Sequence, residues 1–158
     1  MQFLLTAVNA KYIHSNPAIY SLRAYAGEEL QPFVSLVEYT INQRMEEILA
    51  DLYQRHPDVI GFSCYVWNIS LIKELLGELP KVLPGVELWL GGPEVSFDAP
   101  GLLEEFPMLK GIMVGEGEET FKELLSYYVK REKWSQEKGA TALSLKEIPG
   151  LVLGNGTT

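Results

Sequence analysis

Apolar runs in this chain end on small residues, and that pattern limits what it can fold into. Val59-Ile60-Gly61-Phe62-Ser63 stops at a serine, Leu88-Trp89-Leu90-Gly91-Gly92 at paired glycines, and Gly111-Ile112-Met113-Val114-Gly115 at a glycine. Each run is followed by a loop and an amphipathic stretch, the signature of strand–helix units packed into a parallel sheet. Ligands of such sheets bind in the crevice outside the carboxyl ends of the strands. Small residues there let a large flat ligand approach the backbone.

The remaining elements follow from periodicity. Residues 2–8 read as the first strand, and Asn16 with Pro17 reads as the start of the first helix, whose apolar positions are Ile19, Leu22, Ala26 and Leu30. Residues 33–39 form the second strand. Asn42 is the expected cap of a second helix with a Met45, Ile48, Leu49, Leu52 stripe. A third helix spans about 68–82, a short one about 99–106, and a last one about 118–133. Five strands alternating with five helices predict an α/β, doubly wound, five-stranded parallel sheet of flavodoxin-like order 2-1-3-4-5, a Rossmann-like architecture. Residues 1–133 complete that domain. Residues 134–158 read as a linker and the start of a truncated second domain, with Gly154-Asn155-Gly156 as a hairpin turn.

Composition removes several function classes. A formal net charge of −8 argues against a nucleic-acid groove, which needs a positive stripe. No apolar run approaches the roughly 20 residues of a membrane span. One cysteine, Cys64, rules out an intrachain disulfide or a multi-cysteine metal site within these 158 residues, and a cytoplasmic location is the expectation. There is no GxGxxG after the first strand and no P-loop.

The candidate site residues come from four loops at the carboxyl edge. The first, Asn9-Ala10-Lys11-Tyr12-Ile13-His14-Ser15-Asn16-Pro17, is longer than an ordinary strand–helix connection and contributes Asn9, Tyr12, His14, Ser15 and Asn16. Ser63, Tyr65 and Trp67 follow the third strand, where aromatic rings beside a small serine suit a flat heterocycle. Gly91, Gly92, Pro93 and Glu94 follow the fourth strand; two glycines before a proline suggest close backbone approach. Gly115, Glu116 and Gly117 open the last helix, where carboxylates complement the helix dipole and disfavour a phosphate cradle.

Taken together, Ser63-x-Tyr65 and Gly91-Gly92 resemble the Ser-x-Leu and Gly-Gly elements of cobalamin-binding domains. With the first loop and Gly115-Glu116-Gly117-Glu118, the set is similar to the amino-terminal domain of cobalamin-dependent radical S-adenosylmethionine proteins. That class includes anaerobic magnesium-protoporphyrin monomethyl ester cyclase and many methyltransferases. The resemblance covers about residues 1–135. It implies cobalamin as cofactor, with Ser63 hydrogen-bonding the base of the nucleotide tail and Gly91 and Gly92 leaving room for it. The better-known cobalamin motif is Asp-x-His-x-x-Gly. Here Tyr12, His14 and Pro17 stand at those places, so His14 is the candidate cobalt ligand without its orienting acid.

The class also implies a 4Fe-4S cluster and S-adenosylmethionine, held by a carboxyl-terminal radical domain of the same protein. That cluster needs Cys-x-x-x-Cys-x-x-Cys, which is not present here, so this chain is expected to bind the cofactor and not to catalyse. The alternative is a flavodoxin-like interaction or regulatory domain that no longer binds cofactor. A signalling receiver is disfavoured because Asn9, Ser63 and Glu116 stand where it needs an acidic cluster, a phosphorylatable aspartate and a lysine. A flavin mononucleotide site wants a phosphate-binding first loop that this chain lacks.

Overall fold

A computed structural model describes residues 1–11, 15–135 and 144–157. Its elements in chain order are β1 (Phe3–Asn9), α1 (Pro17–Ala26), β2 (Val34–Thr40), α2 (Met45–Arg55), β3 (Val59–Ser63), α3 (Ile69–Val82), β4 (Glu87–Gly91), α4 (Ala99–Glu105), β5 (Leu109–Met113), α5 (Glu118–Trp134) and β6 (Leu151–Leu153). They build one mixed sheet of order β2-β1-β3-β4-β5-β6. The first five strands are parallel and in the expected flavodoxin-like order. The chain leaves β1 toward β2 and returns on the other side as β3, which places the topological switch point between β1 and β3.

Every residue of β1 is buried, as expected for the centre of a sheet covered on both faces. Alternation then sorts its side chains between two cores. Leu4 and Val8 join Ile60, Phe62, Leu88 and Leu90 on one face. Phe3, Leu5 and Ala7 join Ile19, Trp89, Met113, Phe121 and Leu125 on the other, where α1 and α5 pack. On that second face Trp89 Nε1 donates to the Tyr128 hydroxyl at 2.7 Å. Tyr128 donates in turn to Glu87 at 2.6 Å, and Arg131 donates to the same carboxylate at 2.9 Å. A buried indole and phenol are both satisfied in this way, and α5 is fixed to β4 through its last turns.

The expected five-stranded sheet has a sixth strand. β6 pairs antiparallel with β5 through Gly111↔Leu153 and Met113↔Leu151. Gly111 makes this possible, because a Cβ there would lie 2.6 Å from the Trp89 ring and 2.7 Å from the Val152 carbonyl. Leu145 and Ile148 enter the α1/α5 core, and Thr120 Oγ1 donates to the Pro149 carbonyl at 2.8 Å. The tail supplies one strand that covers the edge of β5, and the expected turn follows it, closed by Thr157 N–H donating to the Gly154 carbonyl at 3.1 Å. A second correction concerns α2. The Gln43 side chain accepts from Thr40 N–H at 2.9 Å and its own N–H bonds the Thr40 carbonyl, so a turn occupies the place of the Asn42 cap and the helix begins at Met45.

Asn16 caps α1 as expected, accepting from Ala18 N–H at 3.0 Å. Glu38 of β2 holds the two described ends of the segment between β1 and α1. Its carboxylate accepts from Asn9 Nδ2 at 3.0 Å, from Asn16 N–H at 2.6 Å and from the Tyr20 hydroxyl at 2.9 Å. One side chain thus ties the end of β1 to the start of α1. Burial works to raise its pKa, but the bonds from Asn16, Asn9 and Tyr20 outweigh burial and hold the carboxyl below its ordinary 4.5.

Two outcomes follow from this packing. Leu145→Ala should cost about 2–5 kcal/mol in urea denaturation, the range for a buried leucine; a cost near zero would mean that the tail is not part of the core. Glu38→Gln should cost about 1 kcal/mol at neutral pH, allowing for solvent screening. A depressed folded pKa contributes stability that is complete above pH 4.5 and is lost as pH falls below it. The difference between wild type and variant should therefore shrink in acid, and a gap that is constant or widens down to pH 3 would contradict the assignment.

Candidate functional site

Parallel register lines up the strand ends. Ala7 pairs with Ser63, Ser63 with Gly91, and Gly91 with Met113. One step below on the same face stand Leu5, Gly61, Trp89 and Gly111. The lower half of this face is therefore filled by Trp89, Phe3 and Tyr128, and the upper half by residues with little or no side chain. α1 crosses above with Ala18, Ile19 and Leu22, and the first turn of α5 closes one side at Gly117 and Glu118. A cleft of about 380 Å³ remains between sheet and helices, open at the carboxyl edge.

The two glycines after β4 do different things. A Cβ on Gly91 would meet Met113 at 3.5–3.7 Å, ordinary contact, so its missing side chain is space for the cleft. Gly92 has φ +105°, and a Cβ there would sit 2.5 Å from the Cys64 carbonyl oxygen and 2.9 Å from the Cys64 nitrogen. The fold itself demands Gly92. Cys64 N–H donates to the Gly91 carbonyl at 2.7 Å, lacing the loop after β3 to the end of β4. The Cys64 side chain is fully buried, and burial pushes its thiol up to about 12, so it is a packing residue and not a nucleophile.

The loop after β3 is organised by Asn68, which is completely buried. Its amide donates to the carbonyls of Val8 (3.1 Å) and Ser63 (2.9 Å) and accepts from Tyr65 N–H (2.8 Å). The ends of β1 and β3 are thereby held together with the loop between β3 and α3. Tyr65 reaches the cleft, with its ring stacked on Trp67 at 4.4 Å and 5°. Trp67 is anchored by Nε1 donating to the Val8 carbonyl at 3.2 Å and keeps 45% of its surface exposed. Val66 and Phe97, from neighbouring loops of the same edge, are exposed at 75% and 95%.

Of the residues singled out from sequence, Ser63, Tyr65, Gly91, Gly92, Pro93, Gly115 and Gly117 come together around the cleft. Asn9 and Asn16 do not line it; they are held by Glu38 and shape the first loop. Ser15, Trp67, Glu94 and Glu116 lie outside its lining. Tyr12 and His14 lie outside the described residues. Leu5, Gly61, Ile19, Leu22, Met113 and Ser96 line the cleft without having been expected there. Period-two alternation could have found Gly61, which shares a strand face with Ser63. Among the described residues no cluster of three or more metal-ligating side chains occurs. The cleft is apolar, with a few polar groups at its edge, which suits holding a flat ring system.

Comparison with known proteins agrees with this geometry. The chain is 31% identical over 136 residues to 2-(S-pantetheinyl)-carbapenam-3-carboxylate methyltransferase of Streptantibioticus cattleyicolor, a match covering 85% of this chain and 17% of that one. It is 34% identical over 102 residues to the cobalamin-dependent radical SAM methyltransferase TokK of Streptomyces tokunonensis, covering 64% and 13% respectively. The chain thus spans less than a fifth of the length of either relative. In structure it is similar to the cobalamin-dependent S-adenosylmethionine radical enzyme OxsB with aqua-cobalamin bound, with TM-score 0.70 and 22% identity over 94% of this chain and 20% of that one, which shows a shared fold. No helix among the described residues is long and apolar enough to cross a membrane. The family model of the B12 binding domain matches residues 4–125, and this chain belongs to that family.

Proposed function

We propose that this chain is the cobalamin-holding domain of a radical S-adenosylmethionine enzyme, a methyltransferase or cyclase, whose catalytic domain with its 4Fe-4S cluster follows the described fold. The observation that carries this reading is the cleft formed where Ala7, Ser63 and Gly91 stand side by side beneath α1. The residues present fit the cofactor's nucleotide tail. A Cβ at Gly91 would stand beside Met113, which also lines the cleft, the walls are apolar, and the Ser63 hydroxyl makes no hydrogen bond among the described residues. When bound, cobalamin supplies the cobalt-centred alkyl-transfer chemistry.

This chain's residues bind and orient. Ser63 offers a hydroxyl to the tail base, Gly91 gives it room, and Ile19 and Leu22 shield it from water. The aromatic pair Tyr65 and Trp67, with the exposed Val66 and Phe97, presents an apolar surface at the edge where the corrin would lie. Asn9, Ser15 and Asn16 frame the first loop, and Glu94, Glu116, Gly115 and Gly117 border the neighbouring strand ends. In this reading the chain beyond β6 leads toward the second domain, and a cytoplasmic location accords with a chain carrying one buried thiol.

Titration of the chain with aquacobalamin, followed by absorbance, tests the reading. Gly91→Val should abolish binding with the circular dichroism spectrum unchanged, because the fold has room for the side chain and the cleft does not. Unchanged affinity would move the site elsewhere. Gly92→Val is no substitute, since it collides with the Cys64 backbone and should unfold the edge. For cobalt ligation, His14→Ala is expected to change affinity only modestly, with no strong axial nitrogen coupling in the electron paramagnetic resonance spectrum of the Co(II) form. A nitrogen splitting that disappears in His14→Ala would establish His14 as the ligand.

A further inference from the structure

One wall of the cleft has little to fix it from within. Between β5 and α5 the chain runs through Val114-Gly115-Glu116-Gly117, and Gly115, Gly117 and Glu118 line the cleft. Gly115 has φ +75°, and a Cβ there would meet nothing within 4 Å, so packing does not set its conformation. α5 begins after Gly117 with no side-chain cap. From α1 a surface bond, Ser21 Oγ to Glu118 at 3.2 Å, reaches this turn. The tail supports the same turn from behind. Val114 N–H donates to the Gly150 carbonyl at 2.8 Å, one residue before Leu151 pairs with Met113. Thr120 Oγ1 donates to the Pro149 carbonyl, also at 2.8 Å. Two successive carbonyls of the tail thus grip the wall at both of its ends. The fit is close: Gly150 has φ +83°, and a Cβ there would lie 2.5 Å from Thr120 Oγ1. Thr120 is buried, and neither it nor Gly150 lines the cleft.

We propose that Thr120 and Gly150 are positioning residues for the cofactor: from outside the site, the tail holds the Val114–Gly117 wall in the conformation that receives it. The inference rests on the cobalamin reading above and adds to it a part for residues that touch no ligand. A wall built on two glycines has other conformations open to it once the grip is released. Every molecule whose wall has moved is unable to bind, and apparent affinity falls by the fraction that remains competent. Loss of one buried hydrogen bond shifts such an equilibrium by about two- to tenfold. A side chain at Gly150 does more, because it adds the strain of a positive φ to a collision with the Thr120 hydroxyl.

The test is titration of the 158-residue chain and its variants with aquacobalamin, with circular dichroism reporting the fold and hydrogen exchange reporting the ligand-free wall. Thr120→Val should weaken binding at least about threefold, and Gly150→Ala at least about tenfold. Thr120→Ser keeps the hydroxyl and should bind as the wild type does. Without ligand, Thr120→Val should exchange faster at the amides of residues 114–118 and at the wild-type rate in α2 and α3. Leu52→Ala empties part of the core on the opposite face, so it lowers stability without touching the tail and should leave affinity unchanged. Wild-type affinity in folded Thr120→Val and Gly150→Ala would overturn the proposal. So would an equal loss in Leu52→Ala or in Thr120→Ser, which would trace the effect to general stability or to packing. Unchanged exchange at residues 114–118 in Thr120→Val would overturn it as well. Failure of the wild-type chain to bind is a distinct result: it would overturn the cobalamin reading itself, and this inference with it. If Gly150→Ala does not fold, Thr120→Val decides.

Discussion

The arrangement depends on the register of three parallel strand ends. Ala7, Ser63 and Gly91 share a row because β3 pairs with β1 and β4 in one alignment, and that alignment is pinned by backbone and amide contacts beyond the sheet. Cys64 N–H holds the Gly91 carbonyl, and the Asn68 amide holds the carbonyls of Val8 and Ser63. A slip of one residue would turn Ser63 to the opposite face and bring Phe62 into its place. Gly92 explains why a strand end and a loop can approach so closely, since only glycine accepts its positive φ beneath the Cys64 backbone.

The same sheet face both stabilises the domain and leaves a space open. Its lower half holds Phe3, Trp89, Phe121 and Tyr128, with the Phe3 ring set edge-on to Phe121 at 5.1 Å and Tyr128 at 5.8 Å. The Trp89–Tyr128–Glu87–Arg131 chain of hydrogen bonds secures α5 there. α1 and α5 therefore meet a crowded surface at one end and glycine and serine at the other. Small residues carried on paired strand ends leave the cleft little side-chain freedom to lose, which lowers the ordering cost of binding. Glu38 acts separately, and its three hydrogen bonds set the exit from β1 and the entry to α1.

What the sequence made legible was local. Strand ends on small residues, an Asn-Pro helix start and amphipathic spacing each depend on a few neighbouring residues, and the structure has Asn16 capping α1 and Ser63, Gly91 and Gly117 around one cleft. What escaped depends on partners distant along the chain. Glu38 meets Asn9 and Asn16 only after β1 and β2 pair, and nothing in its neighbourhood marks it as a hub. Asn68 looked like a helix boundary, yet its amide spends its bonds on two other strand ends. β6 escaped because a three-residue strand carries almost no periodic signal, and its partner Gly111 reads as a strand-weakening residue until Trp89 and Val152 are seen against it. Asn9 and Asn16 read from the sequence as candidate ligand contacts, and the structure bonds both to Glu38.

The central claim, that the sheet edge under α1 holds the tail of cobalamin, is tested most directly by hydrogen–deuterium exchange with and without the cofactor. The account predicts added protection in the amides around Ala18–Leu22, Gly61–Ser63, Gly91–Pro93 and Met113–Glu118, which border the cleft, and little change in α2, α3 or β2. Protection confined to the α2/α3 face, or none at saturating cobalamin, would contradict it.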